Sequence, residues 1–202
     1  MTRPAAVLTA HAVVAAAVLL AGCRGDDAGT APLQTSDAPS LDRGAADAAN
    51  AAEGGGASHA TATIYNGAGD AIGEARFTED GTGAVHLTVH VKGLTPGLHG
   101  LHVHAIGSCV GPAFTSAGGH YNPASRQHGH LNPLGFHAGD LPNLIVNGAG
   151  VGHLSATVEQ FSLDALQDAD GSALVIHVNQ DDYRTDPTGN SGARIACGVI
   201  ED

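Results

Sequence analysis

The feature that most constrains the fold is an alternation of apolar and polar residues with a period of two. In residues 84–91, "AVHLTVHV", the apolar positions are Val85, Leu87, Val89 and Val91. This pattern is typical of an antiparallel strand with one buried and one solvated face. The core of such a sheet must be aliphatic, because aromatic residues make up only 3% of the chain and tryptophan is absent.

Similar short segments recur between Gly- and Pro-containing turns. They are "HATATIYN", "AIGEARFTED", "LHGLHVHAI", "GHLSATVE", "SALVIHV" and "ARIACGVI". Short strands without a long helical pattern predict an all-β sandwich or barrel. One stretch differs, because residues 107–151 contain much Gly, Pro, Asn and His and no clear strand. Loops of that length in a compact domain are usually functional, so we expect a disulfide or bound ligands to order this one.

The N-terminus predicts export. An arginine, an apolar Ala/Val/Leu stretch and small residues form a secretory signal over residues 1–22. The ending "LAGC" resembles the lipobox of bacterial lipoproteins, which implies a diacylglycerol on Cys23; the alternative is an ordinary signal with a chance cysteine. Residues 23–57 lack the apolar surface to offset their ordering entropy and are expected to form a flexible tether. The folded domain is then expected over residues 58–202.

The cysteine count predicts a disulfide, and the net charge limits the partners of the protein. With Cys23 assigned to lipid, Cys109 and Cys197 remain, and two cysteines on an exported domain predict one disulfide. The net charge of the chain is −12, and from Ala57 onward 5 basic residues face 14 acidic ones, a net −9. No nucleic-acid partner is therefore expected, and an acidic membrane surface is a poor partner for the domain itself.

The histidines predict metal binding. His102 and His104 are two apart on a predicted strand, so both side chains leave the same face and can chelate one ion. The long loop and a later strand supply further ligand types, namely His120, His128, His130, His137, Asp140 and His177. Three imidazoles and one carboxylate match a tetrahedral zinc site, and imidazole also suits copper. So many ligands exceed the needs of one ion, and two metals sharing one histidine would use them all.

Five motifs together resemble the copper/zinc superoxide dismutases, especially exported bacterial ones. They are "GLHGLHVH", "SAGGHYNP", "HAGDLPN", "VIHVNQDD" and "GNSGARIACGVI", in the family's order over residues 59–202. The resemblance implies a Greek-key β-sandwich or barrel of about eight antiparallel strands with long metal-binding loops. It also implies superoxide as substrate, with one redox-active copper and one zinc per subunit.

The resemblance assigns roles by position. It implies that copper is bound by His102, His104, His120 and His177. It implies that zinc is bound by His120, His128, His137 and Asp140. His120 would thus bridge the two metals, Asp181 would join a copper histidine to a zinc histidine, and Arg194 would lie beside copper as a fixed positive charge. Cys109 and Cys197 match the family's disulfide, and His99 matches a histidine that ties the backbone.

The sequence also leaves alternatives open. His86 and His90 are expected to be solvated, while His59, His130 and His153 receive no role. The lysines that steer substrate in eukaryotic relatives have no clear counterpart here. An exported metal buffer without turnover and a copper-only enzyme remain alternative hypotheses, as do monomer and homodimer. The expected location is the cell envelope, with a lipid anchor in the periplasm or on the outer face of the cell membrane.

Overall fold

A computed structural model of the protein describes residues 58–202. The predicted signal peptide, the predicted lipidation site at Cys23 and the predicted tether lie outside the described residues. Within the described part, no helix is both long enough and apolar enough to cross a membrane.

Strands make up most of the regular structure in the described chain. They are β1 (Ser58–Asn66), β2 (Ala71–Glu79), β3 (Val85–Lys92), β4 (Gly97–His99), β5 (Leu101–His104), β6 (Leu144–Val146), β7 (Val151–Val158), β8 (Ser172–His177) and β9 (Arg194–Ile200). A 3₁₀ turn at Thr115–Ala117 and a one-turn helix, α1, at Leu163–Leu166 complete the regular structure. The all-β prediction is confirmed, with nine strands rather than about eight.

All strands pair antiparallel in the order β4-β6-β7-β3-β2-β1-β9-β8-β5. The strands at the two ends of this order, β4 and β5, are separated along the chain only by Gly100. The sheet therefore curves into a nearly closed barrel. The connection from β3 to β4 passes over two other strands, β6 and β7, as in a Greek key.

The barrel interior is aliphatic, as the composition predicts. On β3 the four valine and leucine positions of the alternating pattern are buried, whereas His86 and His90 are exposed. The same alternation on β1 and β2 adds Ile64 and Phe77 to one continuous core. Burial of about 25 cal/mol per Å² of apolar surface makes this core the main stabilising term of the domain.

The structure departs from the sequence-based strands at two places. The predicted strand "LHGLHVHAI" is interrupted at Gly100, where an added Cβ would lie only 2.5 Å from Ser191 Oγ. The backbone of Gly100 instead pairs with the segment after β8, donating to Asn179 O at 2.7 Å. The second departure is β6, which lies in the long segment expected to lack strands. Its three residues are too few to show a period of two.

A disulfide joins β9 to the beginning of the long loop. Cys109 and Cys197 are bonded with a Cα–Cα distance of 5.6 Å, so the predicted pairing is confirmed. Cys197 is fully buried and packs in a small apolar cluster with Phe114 and Ala117. The bond thus fixes the first part of the loop against the barrel.

Candidate metal centre

Strand β5 forms the base of the site. All four of its residues are buried, because Leu101 and Val103 face the barrel core while His102 and His104 face the long loop. The loop pairs with the edge of β5 that β8 leaves free. Val103 N donates to Gly139 O at 2.9 Å, and Tyr121 N donates to Val103 O at 2.8 Å. This pairing carries the loop histidines over the face of β5.

Glycine is required where the loop meets the strand. A Cβ on Gly139 would lie 2.3 Å from the carbonyl oxygen of Val103. The "HAGD" motif therefore places a residue without a side chain between two ligand candidates, so that both can approach the strand.

Four imidazoles form a first group, His102, His104, His120 and His177, whose ligand atoms lie within 4.8 Å of one another. The nitrogens concerned are Nδ1 of His102 and Nε2 of the other three. Each is buried and has no hydrogen-bond partner in the described structure. Because buried polar atoms are nearly always paired, four unpaired nitrogens that converge are the arrangement expected of metal ligands. A site built only of imidazoles suits copper.

Three imidazoles and a carboxylate form a second group around Asp140. Its Oδ1 lies 3.0 Å from Nδ1 of His120, 3.0 Å from Nδ1 of His128 and 3.2 Å from Nδ1 of His137. Four ligands about 2.0–2.1 Å from a tetrahedral zinc ion would be separated by about 3.3 Å, so these distances fit that ion. His128 Nδ1 lacks hydrogen-bond geometry despite its short distance, as expected for two ligands of one metal rather than a bonded pair.

His102 also lies close to the second group by distance alone. We assign it to the first group because its Nε2 is already hydrogen-bonded to Asp181 and its Nδ1 is the unpaired atom. His120 is different, since its Nδ1 faces Asp140 while its Nε2 is unpaired and faces the first group. The ring of His120 therefore lies between the two groups, where the bridging histidine of the resemblance is expected.

The Asp181 carboxylate is hydrogen-bonded to one histidine of each group. Its Oδ2 accepts from His102 Nε2 at 2.8 Å and its Oδ1 accepts from His128 Nε2 at 3.0 Å. The Asp181 carboxylate is completely buried. Gly189 leaves room for it, because a Cβ there, at a backbone φ of +62°, would lie 1.9 Å from Asp181 Oδ1. One carboxylate thus fixes the ring orientation of a histidine in each group.

We expect Asp181→Asn to lower zinc affinity by about 10- to 100-fold, the usual cost of losing a group that orients a metal ligand. Asparagine has one acceptor oxygen, so it cannot accept a hydrogen bond from both imidazoles. Competition with a chromophoric zinc chelator measures the change. Asp182→Asn is the control, because Asp182 binds only within its own exposed loop. Equal zinc affinities of the Asp181 variant and the native protein would contradict the orienting role.

Burial sets the protonation of the first group. It lowers the pKa of His102 to about 3 and that of His177 to about 4, and the neighbouring His120 contributes to both shifts. Burial likewise lowers the pKa of His104, again with a contribution from His120. These imidazoles are therefore neutral at pH 7, which is the form that binds metal.

Side chains of the second group carry charges when no metal is bound. Burial alone would raise the pKa of Asp140, but the imidazoles of His120, His128 and His137 close to its carboxylate outweigh burial and lower that pKa, so Asp140 is ionised. Burial opposes protonation of His128, yet Asp140 and Asp181 together raise its pKa to about 9. A divalent ion can replace the proton on His128 Nδ1 as the partner of Asp140, while His128 Nε2 keeps its hydrogen bond to Asp181.

A cleft leads to the first group. Its volume is about 420 Å³, and His104, His120, His177 and Arg194 are among the residues that line it. The guanidinium of Arg194 donates to the carbonyl oxygens of Phe114 and Gly118, two residues of the disulfide-tethered loop. Arg194 therefore presents a positive charge at a fixed position beside the imidazoles.

The other histidines of residues 58–202 belong to neither ligand group. His99 bonds the backbone, with its Nδ1 2.7 Å from His177 O and its Nε2 2.9 Å from Thr95 O. His130, for which the sequence suggested no role, contacts Asp140 O through Nε2 at 3.0 Å and packs against Phe136. The two-residue spacing between His128 and His130 did not predict this contact. His59, His86, His90 and His153 lie on exposed strand positions.

The barrel and the two adjoining ligand groups define a metalloprotein with two neighbouring metal sites. A profile of the copper/zinc superoxide dismutase family matches residues 71–200. The chain is 42% identical to superoxide dismutase [Cu-Zn] 2 of Aquifex aeolicus, over 70% of this chain and 85% of that protein. It is 43% identical to the Cu-Zn superoxide dismutase of Caulobacter vibrioides, with the same two coverages. The chain therefore belongs to the copper/zinc superoxide dismutase family.

Solved structures agree with this assignment. A double mutant of a superoxide dismutase-like protein from Bacillus subtilis superimposes with a TM-score of 0.68 at 42% identity, covering 70% of this chain and 97% of that one. The Cu/Zn superoxide dismutase of Brucella abortus gives 0.61 at 35% identity, covering 71% of this chain and 100% of that one. Copper and zinc, predicted from the sequence, are the metals of this family.

Proposed function

We propose that this protein is a superoxide dismutase of the cell envelope, which converts two superoxide anions and two protons to dioxygen and hydrogen peroxide. The observation that carries the proposal is the position of His120, whose two ring nitrogens face two different sets of buried ligands. One set suits a redox metal, and the other suits a metal that only fixes structure.

The residues fit both metals. Copper would be held by the four unpaired nitrogens of the first group, and zinc by Asp140 Oδ1 and the three imidazole nitrogens around it. When bound, copper supplies the one-electron redox change that the reaction needs, and zinc has none to offer. Zinc instead would fix the loop between His120 and Asp140 and balance the charge of that carboxylate.

The chain's own groups attract the anion and supply a proton. Arg194 lines the cleft with a charge that persists at any working pH, so it can hold superoxide next to the imidazoles. His120 lines the same cleft, and its Nε2 is the atom at which a proton could be given to the departing peroxide. Local attraction by Arg194 matters here because a domain of charge −9 repels anions at long range.

Arg194→Ala is expected to lower kcat/KM for superoxide by about tenfold or more, because the fixed cation beside the reacting anion is lost. Arg194→Lys should keep part of the rate, since it retains the charge but not the planar fork. Pulse radiolysis of fully metallated proteins provides the measurement. Arg76→Ala is the control, because Arg76 pairs with Glu74 on the exposed sheet surface. A rate for Arg194→Ala equal to that of the control would contradict the role of Arg194.

The cell-envelope location is supported by three features of the chain. They are the predicted signal peptide, the resemblance of "LAGC" to a lipobox, and a disulfide of the kind that persists in oxidising compartments. We infer a lipid anchor at Cys23, followed by the tether of residues 23–57 and then the dismutase domain.

Cys23→Ser should release the protein from the membrane fraction of the producing cells and remove labelling by radioactive palmitate. The domain contributes no anchor in this proposal, so dismutase activity per bound copper should be unchanged. Persistence of the variant in the membrane fraction after a carbonate wash would argue against anchoring by lipid at Cys23.

The dismutase proposal is tested by metal loading. The purified protein with one copper and one zinc should dismutate superoxide far faster than the same concentration of free copper, and removal of copper should abolish the rate. His102→Ala should abolish it as well. Tight copper binding without a rate above that control would instead favour a metal buffer. Full activity in protein that contains no zinc would favour the copper-only alternative.

A further inference from the structure

His90 and His153 face each other on the outer surface of the barrel. They are register partners on β3 and β7, and both are exposed. Side chains directly opposite on antiparallel strands have Cβ atoms about 4.5–5.5 Å apart, which suits two ligands of one ion. The pair belongs to neither ligand group of the metal centre.

The two rings are as close to each other as the rings of the proposed copper group are. The ring centroids of His90 and His153 lie 4.4 Å apart, at an interplanar angle of 33°. Pairs of rings within the proposed copper group are 4.0 to 6.4 Å apart. The surface pair therefore meets the same spacing without any rearrangement of the backbone.

The two rings also differ from the other histidines outside the metal centre. His59 is hydrogen-bonded to Thr78, and His86 is hydrogen-bonded to Thr157 and Asp80. His99 and His130 bond carbonyl oxygens. Within residues 58–202, neither His90 nor His153 makes a side-chain hydrogen bond, so their nitrogens are free to bind a metal from solution.

A carboxylate lies next in the same row, on the neighbouring strand. Glu74 is the register partner of His90 on β2, so Glu74, His90 and His153 form one row across three strands. The Glu74 carboxylate now pairs with Arg76 at 3.0 Å, but both side chains are more than half exposed. Arg76 donates to both oxygens of the Glu74 carboxylate, so the two imidazoles alone are counted as ligands.

We propose that His90 and His153 form a further, solvent-exposed metal site that chelates Cu(II). Imidazole ligands favour Cu(II) over the other first-row divalent ions, and the acidic domain attracts cations. Because the site is exposed, its copper is exchangeable, unlike metal held in the buried centre. The inference does not depend on the dismutase proposal.

The test uses the full chain with its buried copper and zinc sites filled. We expect it to bind one further equivalent of Cu(II) in a titration followed by EPR, with competing glycine in the buffer. His90→Gln and His153→Gln should each lower the affinity for this additional Cu(II) by more than tenfold. Loss of a group that only orients a ligand costs about tenfold or more, and loss of a ligand itself should cost more than that. Dismutase activity per buried copper should stay unchanged.

His86→Gln is the matched control, because His86 is exposed on the same face of β3 but is already hydrogen-bonded. It should retain the extra equivalent with native affinity, and all three variants should keep the native melting temperature. The proposal is overturned if the filled protein binds no further Cu(II), if both glutamine variants bind it as tightly as the native chain, or if His86→Gln weakens it equally.

Discussion

Replacement of His120 by alanine is expected to abolish superoxide dismutation and to weaken the binding of both metals. Within residues 58–202, His120 is the one side chain whose nitrogens face both ligand groups, with Nδ1 3.0 Å from Asp140 Oδ1 and Nε2 unpaired toward the copper group. Each metal loses a ligand, and the cleft loses the proton donor proposed for peroxide release. Removal of one member of a group that acts as a unit costs nearly the whole rate enhancement.

The measurement combines dismutase assays with metal analysis of dialysed protein. Three imidazoles remain for copper, so some copper should be retained while activity is lost. His130→Ala serves as the control, because His130 contacts the backbone of Asp140 but belongs to neither group. If His120→Ala keeps more than about a tenth of the native rate at full copper content, the bridging role is wrong.

Removal of the Cys109–Cys197 disulfide is expected to cost roughly 4–5 kcal/mol of unfolding free energy in the metal-free protein. The two cysteines are 88 residues apart, and the chain-entropy model gives about this value for closing a loop of that size. For a domain of this length the loss corresponds to a melting temperature lower by roughly 10–15 °C. Cys109→Ala together with Cys197→Ala is the suitable variant, because Cys197 is fully buried in an apolar cluster.

Cys23→Ser is the matched control for this measurement, since it removes a cysteine that takes no part in the bond. Its melting temperature should equal that of the native protein. We also expect the double variant to lose dismutase activity, because the bond fixes the loop whose carbonyls at Phe114 and Gly118 hold Arg194. A melting temperature within about 3 °C of the native value would show that the bond contributes little.

Much of the barrel was predictable because its pattern is local. The alternation in β3 is visible over eight residues, and each apolar position of that pattern is buried in the fold. The elements that the sequence pattern did not predict are short. Strand β6 and helix α1 have three and four residues, so neither is long enough to show a period. Helix α1 is stabilised by tertiary packing of Leu163 and Leu166 into the core.

The ligand types followed from the sequence, but their grouping did not. Histidines at 128, 130 and 137 share one irregular loop, where no period says which side chain points inward. The structure brings His128 and His137 to Asp140 Oδ1 and turns His130 to the backbone. Before the fold was known, only the family resemblance separated these residues.

The sequence by itself determined that the chain forms an antiparallel sheet, that His102 and His104 share one face, and that enough ligands exist for two metals. These properties depend on residue type and on the period of a strand, so they can be found without the fold. Only the tertiary structure decided which nitrogen of His120 faces which group, and that His90 meets His153. Those facts depend on the pairing of the loop with β5 and on the register of β3 with β7, which join residues far apart in the chain.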